Sequence, residues 1–147
     1  MPQQEMSDKY KDNLAEHEEL RFLAERLRVI CLAPQDVLPE GRLRALLERE
    51  LTAFGTMLEQ HLSAEESGSY LGIEQHPELE SRLDRLRRQH QELRGRLGEL
   101  RATLSEGSPA GDLPVGVVAL LDALAEHESA ENRVLQDSLL QESGRGD

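Results

Sequence analysis

His61 with Glu65, and His127 with Glu131, stand four residues apart on helical stripes whose other positions are mostly apolar. The last stripe reads Val117, Leu120, Leu124, His127, Glu131, Val134 and Ser138, in alternating steps of three and four. An earlier one runs Leu43, Leu47, Leu51, Phe54, Leu58, His61 and Glu65, while His17 and His90 each interrupt a stripe singly. A charge in such a seam is costly unless something binds it. Residues i and i+4 point the same way on a helix, so each His-x-x-x-Glu can present a nitrogen and an oxygen to one site. Single histidines from the other two segments would complete that site. Imidazole and carboxylate together suit iron, manganese or zinc, and iron where dioxygen chemistry is involved. With Cys31 as the sole cysteine, a sulfur-ligated cluster is excluded. The candidate metal ligands are therefore His17, His61, Glu65, His90, His127 and Glu131.

Four helical segments have to position these groups. The first is expected over about 8–32, with Tyr10, Leu14, His17, Leu20, Ala24, Leu27 and Cys31 on its inner stripe and Pro34 ending it. The second is expected over about 42–66, loosened by Ser67-Gly68-Ser69. Pro77 suits a first helical turn and opens the third, over about 77–105. Its stripe of Leu79, Leu83, Leu86, His90, Leu93, Leu97, Leu100 and Leu104 is the cleanest heptad-like pattern in the chain. Glu106 to Pro114, rich in Gly, Pro and Ser, connects to a fourth over about 115–140, and a disordered tail is expected from about 142 to 147. Four helices joined by three connections, with no strand signal, predict an all-α, antiparallel up-down-up-down four-helix bundle forming one domain over 1–147. At ~1.5 Å of rise per residue, all six candidate ligands can share one layer of it.

Composition narrows the function. Of the 147 residues, 37% are hydrophobic and 31% charged, and the net charge is −12, so only the periodicity of the apolar residues argues for a folded core. Two Tyr, two Phe and no Trp make that core aliphatic. The acidic balance argues against nucleic acid or anionic lipid as partners. Seven arginines crowd the third segment (Arg82, Arg85, Arg87, Arg88, Arg94, Arg96 and Arg101), but among many glutamates they read as a solvated, salt-bridged face. A polar start, Met1-Pro2-Gln3-Gln4-Glu5, no long apolar run and one cysteine predict a cytoplasmic protein with no membrane anchor. No nucleophile or phosphate-loop motif points to a catalytic residue, and no feature specifies an oligomer.

Other residues carry less. His76 reads as a surface loop residue. Tyr10 and Tyr70 read as packing or capping residues, with a hydrogen bond to a metal-bound oxygen species as the alternative role. Cys31, roughly 20 Å along the helix from His17, reads as ordinary burial. Glu16, Glu66 and Glu126 adjoin candidate ligands but point away from the seam. Any of them could orient a histidine through its other nitrogen.

On His17, His61-Leu62-Ser63-Ala64-Glu65, His90 and His127-Glu128-Ser129-Ala130-Glu131, the chain resembles the hemerythrin-like, or HHE cation-binding, family over nearly its whole length. Glu65-Glu66 followed by Tyr70 also looks like that family's second-helix ending. The resemblance implies a non-haem di-iron centre with an oxo or hydroxo bridge. His17 and His61 would serve one iron, His90 and His127 the other, and Glu65 and Glu131 would bridge. One departure is clear: oxygen carriers of the family place two histidines one turn apart on the third helix, whereas the positions flanking His90 are Leu86 and Arg94. Four histidines instead of five leave open positions. The implied function is therefore binding of, or reaction with, dioxygen, peroxide or nitric oxide. The alternative is an iron- or redox-responsive sensor with little turnover. A structural bundle with a polar layer and no metal is the competing explanation.

Overall fold

Residues 2–67, Tyr70, 76–107 and 111–145 are described in a computed structural model, with side chains from Lys11 to Gln141 within those ranges. Four long helices account for most of them: α1 (Pro2–Leu32), α2 (Glu40–Glu66), α3 (Glu80–Ser105) and α4 (Leu113–Arg145). No strand occurs among the described residues. Several bounds differ from the sequence expectation. α1 begins at Pro2, well before the expected start near residue 8, because a proline is tolerated in a first turn. A single 3-10 turn, Pro77–Leu79, precedes α3, so Pro77 opens the segment but not the α-helix itself. The backbone of α4 stays helical to Arg145, which replaces the expected disordered tail as far as that residue. Residues 146–147, the side chain of Tyr10, Gly68-Ser69 and residues 108–110 of the last connection lie outside the described residues.

Sequence punctuation explains the ends. Pro34 follows α1, and its carbonyl accepts from the amides of Val37 and Leu38 to turn the chain, while Pro39 precedes α2 in an extended conformation. α3 closes on Gly107, which adopts φ +73° and returns its amide to the Leu104 carbonyl. That left-handed position favours glycine over any side chain.

α1 packs on α2 and α4, and α3 packs on α4 and more lightly on α2. Cross-helix contacts fix the directions. Arg26 meets Glu50 while Glu16 meets His61, so α1 and α2 are antiparallel. Arg44 and Arg94 of α2 and α3 pair with Leu104 and Glu59, Arg82 and Gln89 of α3 pair with Asp137 and His127, and Asn13 and Arg28 of α1 pair with Glu131 and Asp122. Each adjacent pair is antiparallel, giving the up-down-up-down bundle.

Burial follows the stripes. A large aliphatic cluster, including Leu20, Leu27, Leu51, Phe54, Leu58, Leu97 and Leu120, fills one part of the bundle. A smaller one of Tyr70, Leu79, Leu83, Leu86, Val134 and Leu135 lies toward the opposite end. One stripe position is corrected: Leu14 is 37% exposed, and Asn13, 2% exposed, takes the inward place one turn before His17. No helix among the described residues is long and apolar enough to cross a membrane.

Candidate metal centre

His17, His61, Glu65, His90, His127 and Glu131 are each no more than 2% exposed, and they meet between the two aliphatic clusters. The stripe geometry is the cause. α2 and α4 each carry leucines up to the histidine and then, one turn later, the glutamate, so both donors of each pair face the bundle axis. α1 and α3 supply His17 and His90 at the same level. All four histidines present Nε2 inward.

Two overlapping groups result: His17, His61, Glu65 and Glu131, and Glu65, His90, His127 and Glu131, with one donor atom from each residue lying within 4.8 Å of the others. The membership is that implied by the resemblance. The carboxylate atoms divide between the groups. Glu65 Oε2 faces His61 Nε2 at 3.1 Å and His17 Nε2 at 3.7 Å, while its Oε1 faces His90 Nε2 at 3.0 Å and His127 Nε2 at 3.8 Å. Glu131 Oε1 faces His17 Nε2 at 3.2 Å, and its Oε2 faces His127 Nε2 at 3.2 Å. Each carboxylate thus offers one oxygen to each group. Ring pairs back the two halves, with His17 and His61 centroids 4.8 Å apart and His90 and His127 centroids 4.7 Å apart, both edge to face.

The donor set fits cations. His17 Nε2, His61 Nε2 and both oxygens of Glu65 are buried and make no hydrogen bond of sound geometry among the described residues. Buried lone pairs facing one another without a partner are a costly arrangement that a bound cation relieves. Four imidazoles and two shared carboxylates, with no thiolate, suit iron, manganese or zinc. Protons partly answer the same need. Burial disfavours a charged His17, but Glu131 and Glu65 outweigh it and raise its pKa to about 10. At His127 burial is likewise overcome by Glu131 and Glu65, and the pKa rises to about 9. Burial also opposes the charge on His61, yet Glu65 and Glu16 raise it. Glu65 is held well below the usual carboxylate range because its buried neighbours, Glu131 and three histidines, outweigh the desolvation of its charge.

Two polar residues that the stripe pattern does not reveal as site residues enter the cluster. Asn13 donates its amide to Glu131 Oε1 at 3.1 Å. Tyr70, 1% exposed, donates to Glu131 Oε2 at 3.1 Å and lies 2.8 Å from His90 Nε2. Its phenol is held neutral by burial and by the charges of Glu131 and Glu65, which push its pKa up. Tyr70 packs in the smaller cluster as well, so its ring is core and its hydroxyl belongs to the site. Its φ of +47° is a left-handed conformation that costs a non-glycine residue about 1–2 kcal/mol, and the buried ring and its two partners hold it there.

Two of the outward nitrogens are hydrogen-bonded, and a third faces a carboxylate beyond hydrogen-bond reach. Glu16 accepts from His61 Nδ1, and Gln89 Oε1 accepts from His127 Nδ1 at 2.7 Å. Glu66 lies 3.7 Å from His90 Nδ1 and is clamped on its other side by Arg94. That guanidinium holds Glu66 below the usual carboxylate range. Glu16 and Glu66 therefore point away from the seam on their own helices but reach a histidine on the next one. Glu126 is exposed on a groove between α3 and α4 and makes no such contact.

His76 corrects another expectation. It is 1% exposed, with Nδ1 3.7 Å from Glu78. It is not among the clustered donors. Cys31 is half-buried, and burial pushes its thiol up to about 11. Among the arginines of α3, Arg82, Arg87, Arg94 and Arg96 form ion pairs.

No curated protein and no solved structure matches the chain. A family model does: that of the Hemerythrin HHE cation binding domain aligns with residues 8–139, which include all six clustered donors, and the chain therefore belongs to that family.

Proposed function

We propose that this bundle is a non-haem di-iron protein that binds or reacts with dioxygen or a related small molecule such as peroxide or nitric oxide. One observation carries the reading: two buried four-donor groups share Glu65 and Glu131, each carboxylate turning one oxygen to each group. A pair of ions held by bridging carboxylates can share the electrons exchanged with a bound small molecule. His17 and His61 would hold one ion and His90 and His127 the other. Asn13 and Tyr70 restrain the two oxygens of Glu131, and the leucines on either side limit water and proton access. Manganese and zinc suit the same donors, and the iron assignment rests on the small-molecule chemistry proposed. The cytoplasmic location of the reading is supported by the single cysteine.

Elemental analysis for iron, manganese and zinc per chain, with near-ultraviolet spectra before and after oxygen or peroxide, tests this reading. About two irons per chain and an absorption band that responds to oxygen support it. No metal after anaerobic reconstitution with ferrous iron overturns it in favour of a structural bundle.

A second reading, an iron- or redox-responsive module with little turnover, is favoured by the origin of the donors, since all four helices contribute at least one. Occupancy then stabilises the bundle itself. Metal-dependent helicity without turnover distinguishes it.

A further inference from the structure

Two of the four histidines hydrogen-bond through their outward nitrogen to a residue that adjoins a clustered donor on the preceding helix, and a third faces such a residue at longer range. Glu16, beside His17 on α1, reaches His61 on α2. Glu66, beside Glu65 on α2, faces His90 Nδ1 on α3 at 3.7 Å. Gln89, beside His90 on α3, bonds His127 Nδ1 on α4 at 2.7 Å. The succession passes once around the bundle, and α4 packs back on α1. One step is missing, from α4 to His17.

Both ends of that step are in place. His17 Nδ1 is buried and has no hydrogen-bond partner among the described residues. Glu128, beside His127 on α4, is 7% exposed, and its Oε1 is equally unpartnered there. Glu128 Oε2 lies 4.0 Å from Arg21, one turn beyond His17 on α1. That approach places Glu128 against α1.

We propose that Glu128 is a positioning residue for His17, closing the ring of outer partners by accepting a hydrogen bond from His17 Nδ1–H. That bond fixes the tautomer whose Nε2 faces Glu65 and Glu131, as outer partners of metal-bound imidazoles do. The inference rests on the metal reading and specifies how one of its two donor groups is oriented. A carboxamide serves the same purpose for His127, so Glu128→Gln should keep the bond and Glu128→Leu should remove it.

The test is zinc titration of the full chain, with nitrogen-15 spectra of the zinc-loaded histidines. In the wild type the His17 Nδ1–H signal should be hydrogen-bonded and protected from solvent exchange. Glu128→Gln should bind both zinc ions within about threefold of wild type and retain that signal. Glu128→Leu should lose it and bind one of the two ions roughly 10–100-fold more weakly. Should Glu128→Leu fail to fold by far-ultraviolet dichroism, the wild-type signal decides, and a solvent-exchanging His17 Nδ1–H overturns the proposal. Two zinc ions bound at wild-type affinity by Glu128→Leu, with the signal intact, overturn the role of Glu128 alone. A wild type that binds no metal overturns the metal reading, and this role with it.

Discussion

At the scale of single residues, Glu65 and Glu131 hold the centre together, because each faces both halves while the histidines divide between them. Removing one histidine should therefore cost one ion, with the bridging carboxylates still serving the other. On the proposed two-metal reading, His127→Ala is expected to hold one metal per chain fewer than the wild type, and full retention in elemental analysis would contradict the assignment. Tyr70 plays a different part. Its hydroxyl donates to Glu131, but it lies outside the two four-donor groups. In the metal-free protein, Tyr70→Phe leaves Glu131 Oε2 one donor short, a loss of about 1–3 kcal/mol by urea unfolding. Metal stoichiometry in that variant should stay at the wild-type value. Nothing in the spacing of the chain shows Asn13 or Gln89 as site residues, and Tyr70 has a site role only as the alternative to packing, because polar residues in so polar a protein stand out only when they interrupt an apolar stripe. Asn13 sits beside Leu14, which fits the stripe equally well, and only the rotation of α1 toward Glu131 chooses between them.

Each helix is committed by one buried face. Leu120 on α4 is fully buried in the large aliphatic cluster, whereas Leu140 on the same helix is 69% exposed. Leu120→Ala should cost about 2–5 kcal/mol through lost transfer and the cavity left behind. Leu140→Ala should change stability by no more than about 0.5 kcal/mol. Thermal unfolding of the pair checks whether the face assigned to α4 is the one that holds it. The helices were legible in the sequence because their apolar period repeats over six or more turns. Their ends were less so: Pro77 marks a 3-10 turn before α3, and α4 runs past the polar residues at which the stripe stops. Propensity carries a helix beyond its packed face, and periodicity cannot register that extension.

For the molecule as a whole, the proposed metal centre would couple protonation, metal binding and stability. His17 and His127 have pKa values raised to about 10 and about 9 in the folded, metal-free protein, against 6.5 for a free side chain. A raised value means that the folded state binds protons more tightly than the unfolded one. The resulting stability is fully present below about pH 6.5 and is lost as pH rises through about 9 to 10. Glu65, held well below the usual carboxylate range, acts in the opposite sense, and its contribution is lost in acid. Metal-free protein is thus expected to show a falling melting temperature from pH 6.5 to 10. Metal-loaded protein should resist that fall, because the ions take the place of the protons. Parallel melting curves for the two forms would count against this coupling.

Periodicity by itself determined four helices, most of their inward faces and the six candidate donors that replace leucine there, because a helix repeats every 3.6 residues and its pattern is local. The tertiary structure decided which oxygen of Glu65 and Glu131 turns to which histidine, and that Asn13, not Leu14, faces the cluster. It alone brought the Tyr70 hydroxyl onto Glu131 and joined the outer partners from helix to helix. It also buried His76, which its place in a connection had suggested was on the surface. These outcomes depend on the rotation and height of whole helices relative to one another, which long-range packing of the aliphatic clusters fixes and no local spacing encodes.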